Sequence, residues 1–298
     1  MSVRVNREPT MKTRRVGSFE VSEIGLGACH LSLQGRPDEA TAIRTVHAAL
    51  DAGVTLIDTA DAYSLTLDDF GHNERLIAKA LAAAGPGRAA VHVATKGGHT
   101  RPNRVDWGLD GTPAHLRAAC EASLRRLGVD VIDLYQLHWP DPAVPFEDSV
   151  GGLSDLVDAG LVRQVGVSNV SVPQLRTAHA VLGPRLVSVQ NELSLWQRAS
   201  LPQLRVAEEF GLAFLPYQPV GGARPAAGVD RDHPVLRRIA VAHEASVFQV
   251  ALAWLLALSP AVVPIPGSRR PETIRDSAAA SGLTLASDDI EALTAMAP

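Results

Sequence analysis

Residues 127–138 read Leu127-Gly128-Val129-Asp130-Val131-Ile132-Asp133-Leu134-Tyr135-Gln136-Leu137-His138. Gly128 is typical of a helix end, because glycine readily adopts the left-handed conformation that closes many helices. The run at 131–137 is short and largely apolar, as in a strand that is buried on both faces. His138 then places an ionisable side chain directly after the strand. The stretch therefore predicts the end of a helix, a buried strand and a polar strand-end residue in succession.

The same alternation of a short apolar run and an amphipathic segment extends over most of the chain. Residues 38–52 place Ile43, Val46 and Leu50 on one helical face, and Thr112-Pro113 supplies the N-cap and first turn of another helix. The eight apolar runs are 24–28, 54–58, 91–95, 131–137, 162–167, 186–190, 212–217 and 261–265. Eight successive βα units predict a parallel sheet that closes into a (β/α)8 TIM barrel.

A doubly wound open sheet is the alternative architecture. Such a sheet usually carries a glycine-rich dinucleotide-binding turn after its first strand. Here Gly25-Leu26-Gly27 lacks the third glycine, and no helix begins directly after it. The barrel is therefore the better prediction.

The length of 298 residues suits one α/β barrel with a large core. We predict a single domain over residues 12–298, preceded by a disordered tail at 1–11 that has no apolar periodicity. Residues 12–22 predict a short β-hairpin with its turn at Gly17-Ser18. Residues 218–234 are rich in Gly, Pro and Ala and follow the seventh strand, so they predict a long functional loop.

Composition excludes several classes of protein. The net charge of −4 disfavours nucleic-acid binding, which needs a basic surface. No export signal is visible, and the most apolar stretch, 247–258, is shorter than a membrane span and predicts a buried helix. We expect a cytoplasmic protein that binds neither membrane nor nucleic acid. Cys29 and Cys120 are too few for a disulfide framework or a four-thiolate zinc site, and we expect no metal. No pattern predicts the oligomeric state.

Four polar residues stand at or just beyond the predicted strand ends. They are Asp58, Tyr63, Lys96 and His138. In a barrel these ends are neighbours on the catalytic rim, so the side chains can converge. A buried Asp58–Lys96 pair would hold a positive charge beside Tyr63, and we expect that charge to lower the pKa of the phenol toward working pH. Tyr63 is then the candidate general acid, and His138 the residue that orients a carbonyl oxygen.

Each of these residues also has an ordinary structural interpretation. An Asp at a strand end is often a helix N-cap, a Lys is usually a solvated surface group, and His138 could make a loop contact. Their joint position on three successive strands favours the functional interpretation.

At this point the sequence resembles the aldo-keto reductase superfamily, over about residues 15–293. The motifs that carry the resemblance are Asp58-Thr59-Ala60-Asp61-Ala62-Tyr63, Gly71-His72-Asn73-Glu74-Arg75-Leu76-Ile77, Ala94-Thr95-Lys96, the stretch 127–138, Gly166-Val167-Ser168-Asn169, Gln190-Asn191-Glu192, Tyr217-Gln218-Pro219-Val220-Gly221-Gly222 and Pro264-Ile265-Pro266-Gly267-Ser268-Arg269-Arg270-Pro271. The resemblance implies an (α/β)8 barrel that binds NADPH or NADP+ without a Rossmann domain. It also implies that Tyr63 donates the proton, Asp58 and Lys96 tune it, and His138 positions a small-molecule carbonyl substrate for hydride transfer from the nicotinamide.

The resemblance also implies a cofactor site. The residues implied are Gly27, Ala28, Ser168, Asn169, Gln190, Tyr217, Gln218, Pro219, Val220, Gly221, Gly267, Ser268, Arg269, Arg270, Asp276 and Ser277. Among them, Ser168, Asn169 and Gln190 match the positions that hold the nicotinamide carboxamide, and Tyr217 matches the aromatic residue that stacks on the ring. Residues 218–222 should line the pyrophosphate.

Three parts of the cofactor site carry further expectations. Residues 267–270 lie at a predicted helix start, where the two arginines favour a 2′-phosphate, so we expect NADPH to be preferred to NADH. Many relatives carry Ser where this chain has Gln218, and Glu and Asn where it has Asp276 and Ser277. The pyrophosphate and adenine contacts are therefore expected to differ here.

The substrate end is expected to be lined by Cys29, His99, Trp107 and Trp139. The loop after Lys96 also carries Arg101, Asn103 and Arg104. These side chains suit a polar or anionic substrate such as a sugar, a phosphate ester or a pyridoxal-like aldehyde, or else the loop is simply solvated.

The sequence thus predicts an NADPH-dependent reductase of an aldehyde or ketone. One alternative is a cofactor-sensing regulatory subunit of the same fold with little turnover. Another is a metal-dependent barrel hydrolase, but the first strand lacks the His-x-His pair that such an enzyme requires.

Overall fold

The computed structural model describes residues 11–85, 91–103, 106–222 and 233–296. The strands are β1 Thr13–Val16, β2 Phe19–Ser22, β3 Leu26–Gly27, β4 Leu56–Asp58, β5 His92–Gly97, β6 His99–Thr100, β7 Gly108–Leu109, β8 Ile132–Leu137, β9 Val162–Ser168, β10 Leu186–Gln190 and β11 Ala213–Phe214. The helices are α1 Glu39–Asp51, α2 His72–Ala83, α3 Pro113–Leu127, α4 Phe146–Asp158, α5 Val172–Leu182, α6 Leu201–Phe210, α7 Pro234–Ala242, α8 Val247–Leu258, α9 Pro271–Ala279 and α10 Ser287–Thr294.

Seven strands form one parallel sheet in the order β11-β10-β9-β8-β5-β4-β3. Backbone hydrogen bonds from residues 261–267 join its two edges. Phe214 N donates to Ala261 O (2.8 Å) on one side, and Gly25 N donates to Pro264 O (2.9 Å) on the other. The sheet therefore closes on itself, and the predicted (β/α)8 barrel is confirmed.

The eighth apolar run does not form a regular strand, although the sequence predicts one at 261–265. Its contacts to the neighbouring strands are isolated bridges, Phe214 with Val262 and Gly27 with Gly267. Pro264 lies within this run and Pro266 directly follows it, and proline has no N–H to donate to a sheet ladder. The barrel is therefore closed by a short seam rather than by a full ladder.

The residues predicted to begin and end helices do so in the structure. The Thr112 side chain accepts a hydrogen bond from His115 N (3.3 Å), Pro113 is the first residue of α3, and Gly128 ends α3 with φ of 69°. Asp38 caps α1 by accepting from Thr41 N (2.9 Å). Residues 247–258 form α8, and most of them are buried, as predicted.

The predicted hairpin is β1–β2, and it closes the end of the barrel opposite the strand carboxyl ends. Val16 and Val21 are buried against the inward-facing barrel residues Leu56, Leu134 and Leu215. Of the predicted tail, residues 1–10 lie outside the described residues, whereas Met11 packs against the core. The predicted loop at 218–234 also lies partly outside them, because residues 223–232 are not described.

Within the described residues no single helix is long and apolar enough to cross a membrane. The pair α7 and α8 meets that criterion only jointly, by length and composition, and is bent by 92°.

Candidate active site

A cavity of about 760 Å³ opens at the carboxyl ends of the barrel strands. Asp58 ends β4, Ser168 ends β9, Gln190 ends β10 and His138 directly follows β8, and all four line the cavity. The carboxyl ends of parallel barrel strands are where the βα loops converge, so this is the expected position of an active site.

Lys96 links the predicted catalytic residues from beneath the cavity. Its Nζ donates to Asp58 Oδ1 (2.5 Å), to Thr59 O (2.9 Å) and to the hydroxyl oxygen of Tyr63 (3.0 Å). Lys96 is fully buried and does not itself line the cavity, whereas Tyr63 does. Because Nζ donates to the Tyr63 oxygen, the phenolic hydrogen is free to point toward the cavity.

The second oxygen of Asp58 is held by two glutamine side chains. Gln190 Nε2 donates to Asp58 Oδ2 (2.8 Å), and Gln136 Nε2 lies 3.3 Å from the same atom. Gln190 is thus a partner of Asp58, in addition to lining the cavity near the predicted carboxamide site. Sequence reasoning missed Gln136, although a polar residue in the middle of an apolar strand is a signal that could have identified it.

The predicted direction of the Tyr63 pKa shift is wrong. Burial raises the pKa of Tyr63 well above its ordinary value of 10.0, and the negative charge of Asp58 raises it further. The sequence points to the positive charge of Lys96 but not to the depth of burial or to the opposing Asp58 charge. Tyr63 is therefore a neutral phenol that holds its proton, which suits a donor.

Two imidazoles lie at the substrate end, and one of them contacts Tyr63. The His138 ring lies edge-to-face with Tyr63 (centroids 5.5 Å) and with His99 (4.1 Å). Burial, with the neighbouring His99 and Lys96, lowers the pKa of His138 well below its ordinary value. Burial also lowers the pKa of His99 to about 4. Both rings are therefore neutral near pH 7, and a neutral imidazole can donate one hydrogen bond.

The other predicted substrate residues surround these rings. Trp107 and Trp139 both lie edge-to-face with His99, and their exposed fractions are 45% and 44%. Cys29 is half-buried and lines the cavity, and burial raises its pKa to about 11, so it is a neutral thiol. Arg101 stacks on Trp107 and donates to Ser64 O (2.6 Å). Arg104 lies outside the described residues.

Asn169 and Tyr217 form a second polar network on the cavity wall. Tyr217 OH donates to Asn169 Oδ1 (2.7 Å), and Asn169 Nδ2 donates to His138 O (2.9 Å) and to Ser168 Oγ (3.0 Å). Asn169 and Gln218 have positive φ, 59° and 48°, which non-glycine residues rarely adopt. Backbone strain of this kind is concentrated at functional sites.

The far end of the cavity is formed by residues 267–270, just before α9. Arg269 Nη2 donates to Gln34 O (2.9 Å), whereas the Arg270 side chain is exposed and makes no hydrogen bond or ion pair within the described residues. Asp276 accepts from Ser246 Oγ and Gln249 Nε2, both at 2.8 Å. Two cationic groups at a helix N-terminus form an anion-binding arrangement.

The cavity brings together nearly all of the residues predicted from the sequence. Besides Lys96, only Ala28 and Gly221 of the predicted set do not line it. Gly27 does, and it must be glycine because a Cβ there would lie 2.5 Å from Ile265 O. Gly222, predicted as part of the segment 218–222, also lines the cavity, and the lining residues that the sequence did not predict are His30, Leu33, Phe248, Ile265 and Thr273.

These residues fit a nicotinamide dinucleotide. The cavity is lined by an aromatic ring and amide groups as well as by Tyr63 and two arginines. The chemistry of these groups matches a flat carboxamide-bearing ring at one end and a phosphate at the other. By contrast, no three His, Cys, Asp or Glu side chains in the described ranges are grouped as metal ligands.

Comparison with known proteins gives the family and its close structural relatives. A sequence profile described as "Aldo/keto reductase family" matches residues 23–298. The 6-dehydroglucose reductase of Novosphingobium aromaticivorans is 37% identical and covers 91% of this chain and 90% of its own. The probable aldo-keto reductase 1 of Glycine max is 32% identical and covers 94% and 86%.

Two solved structures have the same architecture. The glycerol dehydrogenase of Gluconobacter oxydans superposes with a TM-score of 0.79 at 30% identity, over 94% of this chain and 93% of that one. The aldo/keto reductase of Klebsiella pneumoniae, solved in complex with NADP and acetate, has a TM-score of 0.78 at 27% identity, over 95% and 94%.

Proposed function

The chain belongs to the aldo/keto reductase family, and we propose that it catalyses the NADPH-dependent reduction of an aldehyde or ketone to an alcohol. One observation carries the proposal. The hydroxyl of Tyr63 faces a cavity while its oxygen accepts a hydrogen bond from buried Lys96, 3.0 Å away. That arrangement leaves a neutral phenol free to donate its proton.

Tyr63 and His138 would act together on the carbonyl oxygen. When bound, the cofactor supplies the hydride that is added to the carbonyl carbon. Tyr63 gives its proton to the oxygen, and the phenolate that remains is stabilised by the Lys96 ammonium. Neutral His138 would orient the carbonyl by a hydrogen bond. Asp58 keeps Lys96 in place through its 2.5 Å contact.

The cofactor would be held by residues along the whole cavity. Ser168, Asn169 and Gln190 suit the carboxamide, which both donates and accepts, and Tyr217 offers an aromatic face for the ring. Gln218, Pro219, Val220 and Gly221 belong to the loop proposed to follow the pyrophosphate. Residues Gly267 to Arg270, with Asp276 and Ser277, would receive the adenosine end, and the two arginines favour a 2′-phosphate. The Klebsiella pneumoniae relative crystallised with NADP supports this assignment.

Hydroxylated aldehydes are the first substrate class to test. A relative 37% identical over most of the chain is named a 6-dehydroglucose reductase. The substrate end here combines two partly exposed indole rings with two neutral imidazoles. Such a mixture of aromatic faces and hydrogen-bonding groups suits a polar ring or chain.

The test is Tyr63→Phe, with Tyr135→Phe as the matched control. Tyr135 is a buried tyrosine that donates to Leu116 O and does not line the cavity. We expect both variants and the wild type to bind NADPH with similar affinity in a fluorescence titration. Reduction of 4-nitrobenzaldehyde should fall about a thousandfold in Tyr63→Phe alone.

Each alternative has its own outcome. Tight NADPH binding without turnover in the wild type would favour the cofactor-sensing subunit. Absence of binding to both NADPH and NADH would contradict the proposed function. Equal turnover by Tyr63→Phe and the wild type would remove Tyr63 from the reaction.

A further inference from the structure

A second, smaller pocket adjoins the cavity at the amino-terminal ends of α5 and α6. We call it the side pocket. Its volume is about 300 Å³, and it shares Trp139, Asn169 and Tyr217 with the main cavity. Trp139 thus has a place in the walls of both. A substrate bound at Tyr63 could extend past Trp139 into the side pocket.

The side pocket contains hydrogen-bond acceptors that have no donor among the described residues. Glu192 is half-buried, and its carboxylate makes no hydrogen bond or ion pair with any described residue. Burial raises the pKa of Glu192 above its ordinary value. Gln203 Nε2 donates to Val170 O (3.2 Å), but its Oε1 is buried and has no partner among the residues described. A buried acceptor without a donor is costly, which points to a ligand or water that supplies one.

The other walls of the side pocket are mostly neutral and polar. Ser200 lies at its edge without capping α6 through its side chain, and Ala199 is exposed beside it. Trp139 contributes a large aromatic surface, 44% exposed. Two free acceptors beside an aromatic face suit a ring that carries several hydroxyl groups, since each hydroxyl can donate a hydrogen bond.

We propose that the side pocket binds the hydroxylated far end of the carbonyl substrate, with Glu192 and Gln203 accepting hydrogen bonds from its hydroxyl groups. The proposal rests on the proposed reductase function and specifies its substrate class. Glu192 would be a specificity-determining residue, because it lies beyond the groups that meet the reacting carbonyl. The substrate would be an aldehyde or ketone joined to a polyhydroxylated ring or chain.

The kinetic test compares two ring aldehydes that differ in their hydroxyl groups. They are the 6-aldehyde derivative of methyl α-D-glucopyranoside and cyclohexanecarbaldehyde. The measured quantity is the ratio of their kcat/KM values with NADPH. We expect the wild type to favour the hydroxylated aldehyde, and the ratio to fall about tenfold or more in Glu192→Leu, mainly through KM. Glu192→Gln keeps one acceptor and should lose less.

Two further variants separate pocket occupancy from folding. Ala199→Trp fills the side pocket from an exposed position and should lower the ratio in the same direction. Glu208→Leu makes the matched substitution at an exposed position of α6 that does not line the pocket, and it should leave the ratio unchanged. A wild type that prefers cyclohexanecarbaldehyde, or a ratio that is equal in all variants, would overturn the proposal.

Direct binding keeps the side pocket testable if the chain reduces neither aldehyde. Such a failure would contradict the proposed function only if 4-nitrobenzaldehyde were not reduced either. Methyl α-D-glucopyranoside has no carbonyl group, so its binding to the NADPH-loaded protein is measured by saturation-transfer NMR. Binding that is lost in Glu192→Leu and Ala199→Trp but kept in Glu208→Leu would support the side pocket alone. No binding to the wild type would overturn it.

Discussion

Asp61 lies between two catalytic candidates, Asp58 and Tyr63, yet its own carboxyl group is isolated. It is buried, and neither of its oxygens has a hydrogen-bond partner among the described residues. Burial raises the pKa of Asp61 well above its ordinary value, and the nearby negative charge of Glu74 raises it further. Glu74 itself is paired with Arg126 (2.5 Å) and Thr95 (2.6 Å). Asp61 therefore lowers the stability of the fold whenever it must ionise.

We expect Asp61→Asn to raise the free energy of unfolding at pH 8, because the unfolded aspartate is ionised there whereas the folded carboxyl must hold its proton or ionise without a partner, and asparagine carries neither cost. The folded-state pKa of Asp61 is above the unfolded value, so the stability it contributes is full below about pH 3.9 and is lost as pH rises through the folded pKa. The advantage of the variant should therefore shrink when urea unfolding is repeated at pH 5.

The control for this prediction is Asp155→Asn, an exposed acid on α4. It should have little effect at either pH. A variant Asp61→Asn that is less stable than the wild type at pH 8, or an effect that does not change with pH, would contradict the account of Asp61 as an isolated buried acid.

At this scale the sequence identifies positions better than electrostatic states. Asp58, Tyr63, Lys96 and His138 were predicted from their places at strand ends, and the structure brings them together. The Tyr63 pKa was predicted in the wrong direction, because burial depth depends on the packing of several loops that no local pattern specifies. Gln136 was missed although it is a polar residue within an apolar strand, because its role depends on its contact with Asp58 across the sheet.

At the scale of elements, Arg14 attaches the β1–β2 hairpin to the end of α8. Its guanidinium donates to Leu256 O (2.8 Å), Ser259 O (2.5 Å) and Val262 O (2.6 Å). Glu23 lies 3.3 Å away and partly balances the charge. Carbonyl groups at a helix end lack partners within the helix and carry partial negative charge, so a cation there is favourable.

We expect Arg14→Met to lower the free energy of unfolding by about 2–4 kcal/mol, because three part-buried carbonyl groups lose a charged donor. The measurement is urea unfolding at pH 7. The matched control is Arg15→Met on the same strand, where the side chain is exposed and should matter by less than about 0.5 kcal/mol. Equal effects of the two substitutions would show that Arg14 does not hold the hairpin.

Elements were predictable where their signals are local. Thr112, Pro113 and Gly128 specify both ends of α3, and the two capping hydrogen bonds join residues only three and four positions apart. The eighth strand was predicted from its apolar run, but Pro264 and Pro266 deny it the N–H groups of a regular ladder. Periodicity detects burial, and burial does not guarantee a hydrogen-bonded strand.

At the scale of the whole molecule, the cavity spans the seam that closes the barrel. Gly27 on β3 and Gly267, the last residue of the seam formed by 261–267, form a bridge, and both line the cavity. Arg269 reaches across from the end of the seam to Gln34 O in the segment between β3 and α1. A ligand in the cavity would therefore contact the first and last βα units of the barrel at once.

The last prediction follows from this geometry. A ligand that binds only the folded chain stabilises it by about 2.7 kcal/mol at one hundred times its Kd, which corresponds to a rise in Tm of roughly 5 °C for a domain of this size. Arg270 is exposed and has no side-chain partner within the described ranges, so it is free to meet a 2′-phosphate. We expect NADPH to raise Tm of the wild type more than NADH does at equal concentration. In Arg270→Met the NADPH shift should fall to the NADH value. The NADH shift should stay the same, because NADH has no 2′-phosphate.

Arg269→Met should instead reduce both shifts, since Arg269 also supports the loop at Gln34. Equal shifts by NADPH and NADH in the wild type would contradict the assignment of the two arginines to the phosphate. The absence of any shift would mean that the cofactor does not bind across the first and last βα units of the barrel.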